Sequence, residues 1–183
     1  MEPRAVVLVE GSSDRVALEA LAERHGRDLA AEGVDVVPIG GAQAIRGSLR
    51  RFLGLGVRTA GLCDAGEERH FRRALEQEGL GAALTRAGME RLGFYVCDPD
   101  LEAELIRALG PDAVLDVAAA QGDLGAFRTL QKQAAWQGQP VEAQLRRWLG
   151  SGGRRKIRYA RLLVEALDLD RMPRPLDGVL AHV

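Results

Sequence analysis

The sequence predicts an α/β fold: a four-stranded, mainly parallel sheet flanked by helices, followed by a helical C-terminal extension. Three observations predict it. Short apolar runs alternate with helical patterns through about residue 99, the arrangement of strands joined by right-handed crossovers. Three of the four apolar runs end on an acid, and the remaining one ends in a Gly-Gly turn. Beyond Pro99 the pattern is almost wholly helical.

The strands are expected at 5–9, 34–39, 57–63 and 94–97. The first, "AVVLV", is a continuous apolar run of the kind that becomes a strand buried on both faces. The first helix is expected over 13–31, with Ala17, Leu18, Leu21 and Leu29 near helical spacing and Ser12 or Ser13 placed to cap it. Two more helices are expected over 42–55 and 67–78. The C-terminal part reads as helices over 100–109, 112–120, 124–136, 141–149 and 156–167. "GSGGRR", 150–155, is the nearest thing to a linker. The tail "MPRPLDGVLAHV" is expected to pack as an irregular end through Leu176, Val179 and Leu180. There is no internal repeat and no low-complexity segment.

At 183 residues, 46% hydrophobic and 28% charged, the chain suits one domain with a substantial core. No apolar run approaches the roughly 20 residues needed to cross a bilayer. "MEPRAVVLVEG" lacks a cleavable signal pattern, so a cytoplasmic protein without membrane partners is expected. Cys63 and Cys97 are too few for a disulfide scaffold, and no CxxC pair is present for zinc. Both read as small buried strand residues. His25, His70 and His182 are scattered and suggest no site. The net charge of −1 conceals a polarity: residues 1–120 hold 14 basic and 20 acidic side chains, residues 121–183 hold 11 and 6. That division fits an acidic site on the first part and a basic surface on the second, or uneven solvation of helix faces.

In parallel α/β sheets, ligands gather at the carboxyl ends of the strands. Glu10, Asp64 and Asp98 each follow a strand, "PIGGAQ" follows the second, and Asp14 lies one helical turn beyond Glu10. A lone Asp after a strand is commonly a helix cap. Acids gathered at one sheet edge repel one another unless protons or a cation neutralise them, and hard divalent ions want oxygen ligands.

The order "VEGSSD…IGGA…GLCDAG" resembles the TOPRIM domain, the catalytic module of topoisomerases, bacterial primases and the OLD (overcoming lysogenization defect) nucleases. The Asp four residues after the Glu looks most like the OLD group. The resemblance covers residues 4 to about 110 well and the helical remainder loosely. It implies a catalytic α/β core over 1–110 and a helical extension over 111–183 packed on it. It implies Mg²⁺ or Mn²⁺, two ions being possible, with Glu10, Asp14 and Asp64 around one ion. "DPDLEAEL" offers Glu102 for a second, and "GGRRKIRYA" offers Lys156, one of only two lysines, to meet the scissile phosphate. The same analogy gives Glu10 a general acid/base role. Where the family has Asp-x-Asp, this chain has "DAG", with Gly66 in the second place; Glu67 or Glu68 would have to substitute.

The implied activity is metal-dependent phosphodiester chemistry on nucleic acid, foremost the nicking of DNA by a two-metal mechanism. Arg154, Arg155 and Arg158, at a glycine-rich helix start, suit a phosphate backbone, and Arg146 and Arg147 extend the strip. Trp136 and Trp148 suit base stacking or, at their helical spacing, the core. Tyr95 and Tyr159 read as packing residues. The chain has no GxxxxGK[ST] loop, so an ATPase would have to be a separate partner or absent, and a homodimer is also open. From a different class, the alternative is a catalytically weak or inactive module that binds nucleic acid or a partner protein, which Gly66 favours. A receiver-like phosphate-binding domain is opposed because "VEGSSD" lacks paired acids after the first strand.

Overall fold

The computed structural model of the chain describes residues 3–183. Its sheet consists of β1 (Ala5–Val9), β2 (Val34–Pro38), β3 (Arg58–Asp64) and β4 (Phe94–Cys97). All strand pairs are parallel, in the order β2-β1-β3-β4. Strand β1 is central, and every one of its residues is buried. That is why its sequence is an unbroken apolar run rather than an alternation. Val7 and Val9 face one buried cluster, Val6 and Leu8 the other. Val9 lies beside both Pro38 and Leu62, so the carboxyl ends of the three strands finish at one edge.

One face of the sheet is covered by α2 (Ile45–Gly54), α3 (Glu68–Gln77) and α4 (Arg86–Arg91) through Leu49, Phe71, Leu75 and Met89. The other is covered by α1 (Ser12–Arg24) and by the entire C-terminal part: α5 (Leu101–Leu109), α6 (Pro111–Ala120), α7 (Leu124–Gln131), α8 (Val141–Gly150), α9 (Gly153–Ala166) and α10 (Arg174–His182). Residues beyond 110 thus share one hydrophobic cluster with β1 and α1. Helix α9 is locked to α1 by the Arg24 guanidinium, which donates to the carbonyls of Val164 (2.7 Å) and Leu167, and by Arg161 on Glu23 (2.5 Å).

Four local expectations are corrected. Helix α1 stops at Arg24 rather than 31, because Gly26 takes a left-handed turn (φ +70°). Leu29, which extended the apolar pattern, is buried from a turn instead. Helix α7 stops at Gln131, short of 136, and the chain turns through 132–139. The tail is not irregular: α10 forms with proline in its first turn, where the missing N–H costs nothing. Residues 150–155 are not a linker, since only Ser151 and Gly152 separate α8 from α9. The six-residue α4, capped by the Thr85 hydroxyl accepting from the Gly88 amide (3.1 Å), is too short to leave a periodic signal. No helix of the described residues is long and apolar enough to cross a membrane.

Gly61 on β3 is a packing requirement. A Cβ there would lie 2.6 Å from the Phe94 ring and 3.0 Å from the Leu8 carbonyl oxygen. Gly61→Val is therefore expected to lower stability by about 1–3 kcal/mol, the usual cost of overpacking, measured as the denaturant midpoint. An unchanged midpoint would mean that β3 and β4 can separate freely.

Candidate active site

Glu10 is the first residue beyond β1. Its Oε1 accepts the Asp64 amide at 2.8 Å, tying the end of β1 to the end of β3. Gly11 follows in an extended conformation and starts α1. Asp14, at the third helical position, accepts the Gly11 amide through Oδ2 at 2.9 Å. That bond turns the Asp14 carboxylate back toward Glu10, and the residue is only 8% exposed. Asp64 closes β3, and its Oδ1 accepts the Leu101 amide at 3.3 Å, reaching the start of α5. Gly40 and Gly41, both at positive φ, turn the chain after β2, and the Gly41 amide donates to the Glu10 carbonyl at 3.3 Å.

Glu10, Asp14, Asp64, Gly41, Gly153 and Lys156 border one open cavity of about 330 Å³. Lys156 comes from the first turn of α9, which the α1–α9 packing delivers to the sheet edge. Its Nζ lies 3.4 Å from an oxygen of Glu102, which is 6% exposed on α5.

The electrostatics follow from burial and crowding. Burial raises the Glu10 carboxyl, opposed by the Asp64 amide and aided by Asp14 and Glu67. Burial also raises Asp14, against the Gly11 amide and Lys156. Asp64 moves furthest, from an ordinary 3.8 to about 7, through burial first and then the charges of Glu10 and Asp14. Glu102 is raised by burial, with Lys156 working the other way. Burial alone would lower Lys156, but Glu102, Asp14 and Asp64 together hold its ammonium above the usual value.

The side-chain donors bordering the cavity are carboxylate oxygens and the hydroxyls of Ser12 and Ser13, without thiolate or imidazole, which suits a hard divalent cation. Among the described residues, no three acids, histidines or cysteines close on one point so as to hold an ion in this conformation. Each of the three acids has one oxygen on a backbone amide, which fixes it at the rim and leaves a second oxygen for a ligand.

The other expected residues are dispersed. Glu67, just before α3, faces Glu10 through space and lies 3.7 Å from the His70 ring. Glu68 turns away to Arg86 (2.7 Å) and Arg72 (3.8 Å) and does not border the cavity. Asp98 is exposed and paired with Arg86 at 2.6 Å. Gly66 is exposed with open space around a prospective Cβ.

The expected arginine strip is split. The Arg155 guanidinium donates to the Trp148 carbonyl (3.1 Å) and the Ser151 hydroxyl (2.8 Å) and covers the Trp148 ring at 4.9 Å. Arg158 is paired with Asp123 and lies over Tyr159. Arg155 thus braces the α8–α9 packing, and Arg158 ties α9 to the start of α7. Arg154 and Arg147 are exposed and have no ion-pair partner among the described residues. Arg146 donates to Asp100 at 2.6 Å.

Trp148 is core, edge-on to Phe127 and Tyr159, with its indole N–H lacking a partner among the described residues. Both cysteines are buried with thiols pushed up by burial, which makes them inert packing groups. Gly153, which borders the cavity with its backbone, escaped sequence reasoning. Trp136, weighed there between base stacking and the core, is half-buried against the core cluster and stands beside a neighbouring cavity. Neither placement has a spacing signal, because both are set by how the C-terminal helices dock on α5.

Residues 3–65 match the family model described as "Overcoming lysogenization defect protein-like, TOPRIM domain". The whole chain superposes on the C-terminal region of the Xanthomonas campestris pv. campestris OLD protein with a TM-score of 0.76 and 25% identity, covering 99% of this chain and 92% of that one. It also superposes on the C-terminal region of the Burkholderia pseudomallei OLD protein with a TM-score of 0.74 and 20% identity, covering 100% and 97%. No curated protein sequence matches the chain. These 183 residues contain no ATPase module.

Proposed function

We propose that this chain, whose first third matches an OLD-like TOPRIM domain and whose whole fold is that of OLD C-terminal regions, is a divalent-metal-dependent nuclease module. TOPRIM domains of this family imply metal-dependent nucleic-acid chemistry in general. The finer reading is the nicking of DNA with Mg²⁺ or Mn²⁺. One observation carries it: carboxylates from the end of β1, the first turn of α1 and the end of β3 share a cavity with Lys156.

Glu10, Asp14 and Asp64 would hold one ion, and Glu102, with Glu67 the nearer of the two following glutamates, a second. When bound, the ions would supply an activated water and stabilise the leaving oxygen. Asp64 would give up the proton that burial, aided by the charges of Glu10 and Asp14, lets it keep near neutral pH. The Lys156 ammonium, resting on Glu102, neutralises charge that develops on the phosphate under attack. Glu10, held at Asp64, is the one acid here with a general acid/base role in view. The two parts of the chain, 1–110 and 111–183, then divide the work: the first supplies the acids and the second supplies Lys156. An ATPase in a separate chain and a homodimer that cuts both strands are compatible partners.

A second reading, a binding module with little or no catalysis, is supported by Gly66 and by the absence of three converging ligands among the described residues. Supercoiled plasmid incubated with Mg²⁺ or Mn²⁺ separates the two. Nicking is expected, and Glu10→Gln is expected to slow it by at least about 100-fold. Plasmid bound but left intact under either metal would establish the binding module instead.

A further inference from the structure

A second cavity, of about 340 Å³, opens beside the first, and Lys156 borders both. Asp100, Glu102, Trp136, Arg146 and Arg147 supply the other polar and aromatic side chains of its wall. Its charges sort into pairs. Arg146 is committed to Asp100 and Lys156 to Glu102, which leaves the exposed Arg147 as surplus positive charge. Because Asp100 also caps α5 through the Ala103 amide (2.9 Å), the Arg146–Asp100 pair is anchored to the same helix that carries Glu102.

Trp136 is held in place by a device of its own. The buried Gln144 amide donates to the Trp136 carbonyl at 2.7 Å and accepts from Gln131 Nε2 at 2.8 Å. A side-chain amide this buried, spent on a surface turn, fixes the backbone that carries the indole, and the half-buried ring packs against the core cluster beside the cavity. The wall therefore combines an aromatic side chain, a fixed arginine, an unpaired arginine and the lysine of the candidate active site. A cavity of this size lies within the range of small-ligand sites.

We propose that this cavity is a subsite for one unpaired nucleotide next to the phosphate under attack, its base stacked on Trp136 and its own phosphate on Arg147. A base can reach an aromatic wall only when it has left the duplex stack. The favoured substrate is thus single-stranded or frayed nucleic acid, not intact duplex. This inference rests on the nucleic-acid reading above and extends it to substrate class.

The test is binding of single-stranded tetranucleotides, DNA and RNA in separate arms, against a closed hairpin duplex, with metal chelated so that catalysis plays no part. Trp148 is buried, so quenching of tryptophan fluorescence reports Trp136. Quenching is expected with at least one tetranucleotide and not with the hairpin. Trp136→Ala is expected to weaken tetranucleotide binding by about tenfold, and Trp136→Phe to restore most of it. Arg147→Gln, on an exposed side chain and so harmless to folding, is expected to reduce the salt slope by about one counterion. Equal affinity in wild type and Trp136→Ala, an unchanged salt slope in Arg147→Gln, or equal quenching by the hairpin would overturn the subsite. Failure of plasmid nicking leaves these metal-free outcomes intact, so the two readings fall separately.

Discussion

Asp64→Asn is expected to abolish metal-dependent nicking, by a factor of about 100 or more, and yet to make the metal-free protein more stable. Both effects come from one carboxylate. In the folded chain it sits among Glu10 and Asp14, mostly withdrawn from water, and its pKa rises from 3.8 to about 7. A carboxyl raised on folding binds a proton that the unfolded chain has already released. Stability in the absence of metal therefore falls as pH rises from about 4 to about 7 and is lowest, from this group, above that window. Asn carries no charge and keeps an oxygen for the Leu101 amide. Allowing for the solvent that still reaches the site, the gain at pH 8 should be about 1–2 kcal/mol. Thermal melting at pH 4 and pH 8 measures it. Because an ion must displace the same proton, Mn²⁺ should raise the wild-type melting temperature more at pH 8 than at pH 6. It should do little to the variant. A variant that still nicks would remove Asp64 from the ion's ligands, and one that melts lower than wild type at pH 8 without metal would refute the raised carboxyl.

The second large effect is expected at Lys156. Its ammonium is the partner of Glu102, one of the most buried charged groups in the protein. Lys156→Met leaves that carboxylate without compensation, and breaking a buried pair on one side costs roughly 3–5 kcal/mol. Partial opening of the cavity places the expected loss at the lower end. Nicking should fall by about 100-fold, because the phosphate loses its nearest fixed cation. Stability and chemistry are separable. The double variant Lys156→Met, Glu102→Gln removes both charges and should recover most of the stability but none of the activity. Recovery of both would make Lys156 a structural counterion and nothing more.

The legible parts of the sequence were those governed by local pattern. The apolar run from Ala5 to Val9 is long enough and β-branched enough to declare a central strand, and the acids that follow it and "GLC" announce a sheet edge. Helix ends were less legible. Leu29 continues the periodicity of α1 although Gly26 has already ended the helix, and periodicity does not distinguish an apolar residue buried from a turn from one buried on a helix face. The tail misled for the opposite reason. Two prolines suggested disorder of pattern, whereas one of them opens α10 at the position where proline is favourable.

Sequence by itself determined the parallel sheet, the burial of both cysteines and the placing of Glu10, Asp14 and Asp64 along one cavity, because each depends on a strand end or on a few neighbouring residues. Tertiary structure alone decided which charges remain available. Glu68 went to Arg86, Arg155 to the Trp148 turn and Arg158 to Asp123, while Arg147 and Trp136 came to stand beside Lys156. A charge is spent or spared according to which helix docks against it, and docking is settled by the shared hydrophobic cluster of α1, α5, α8 and α9 rather than by any spacing along the chain.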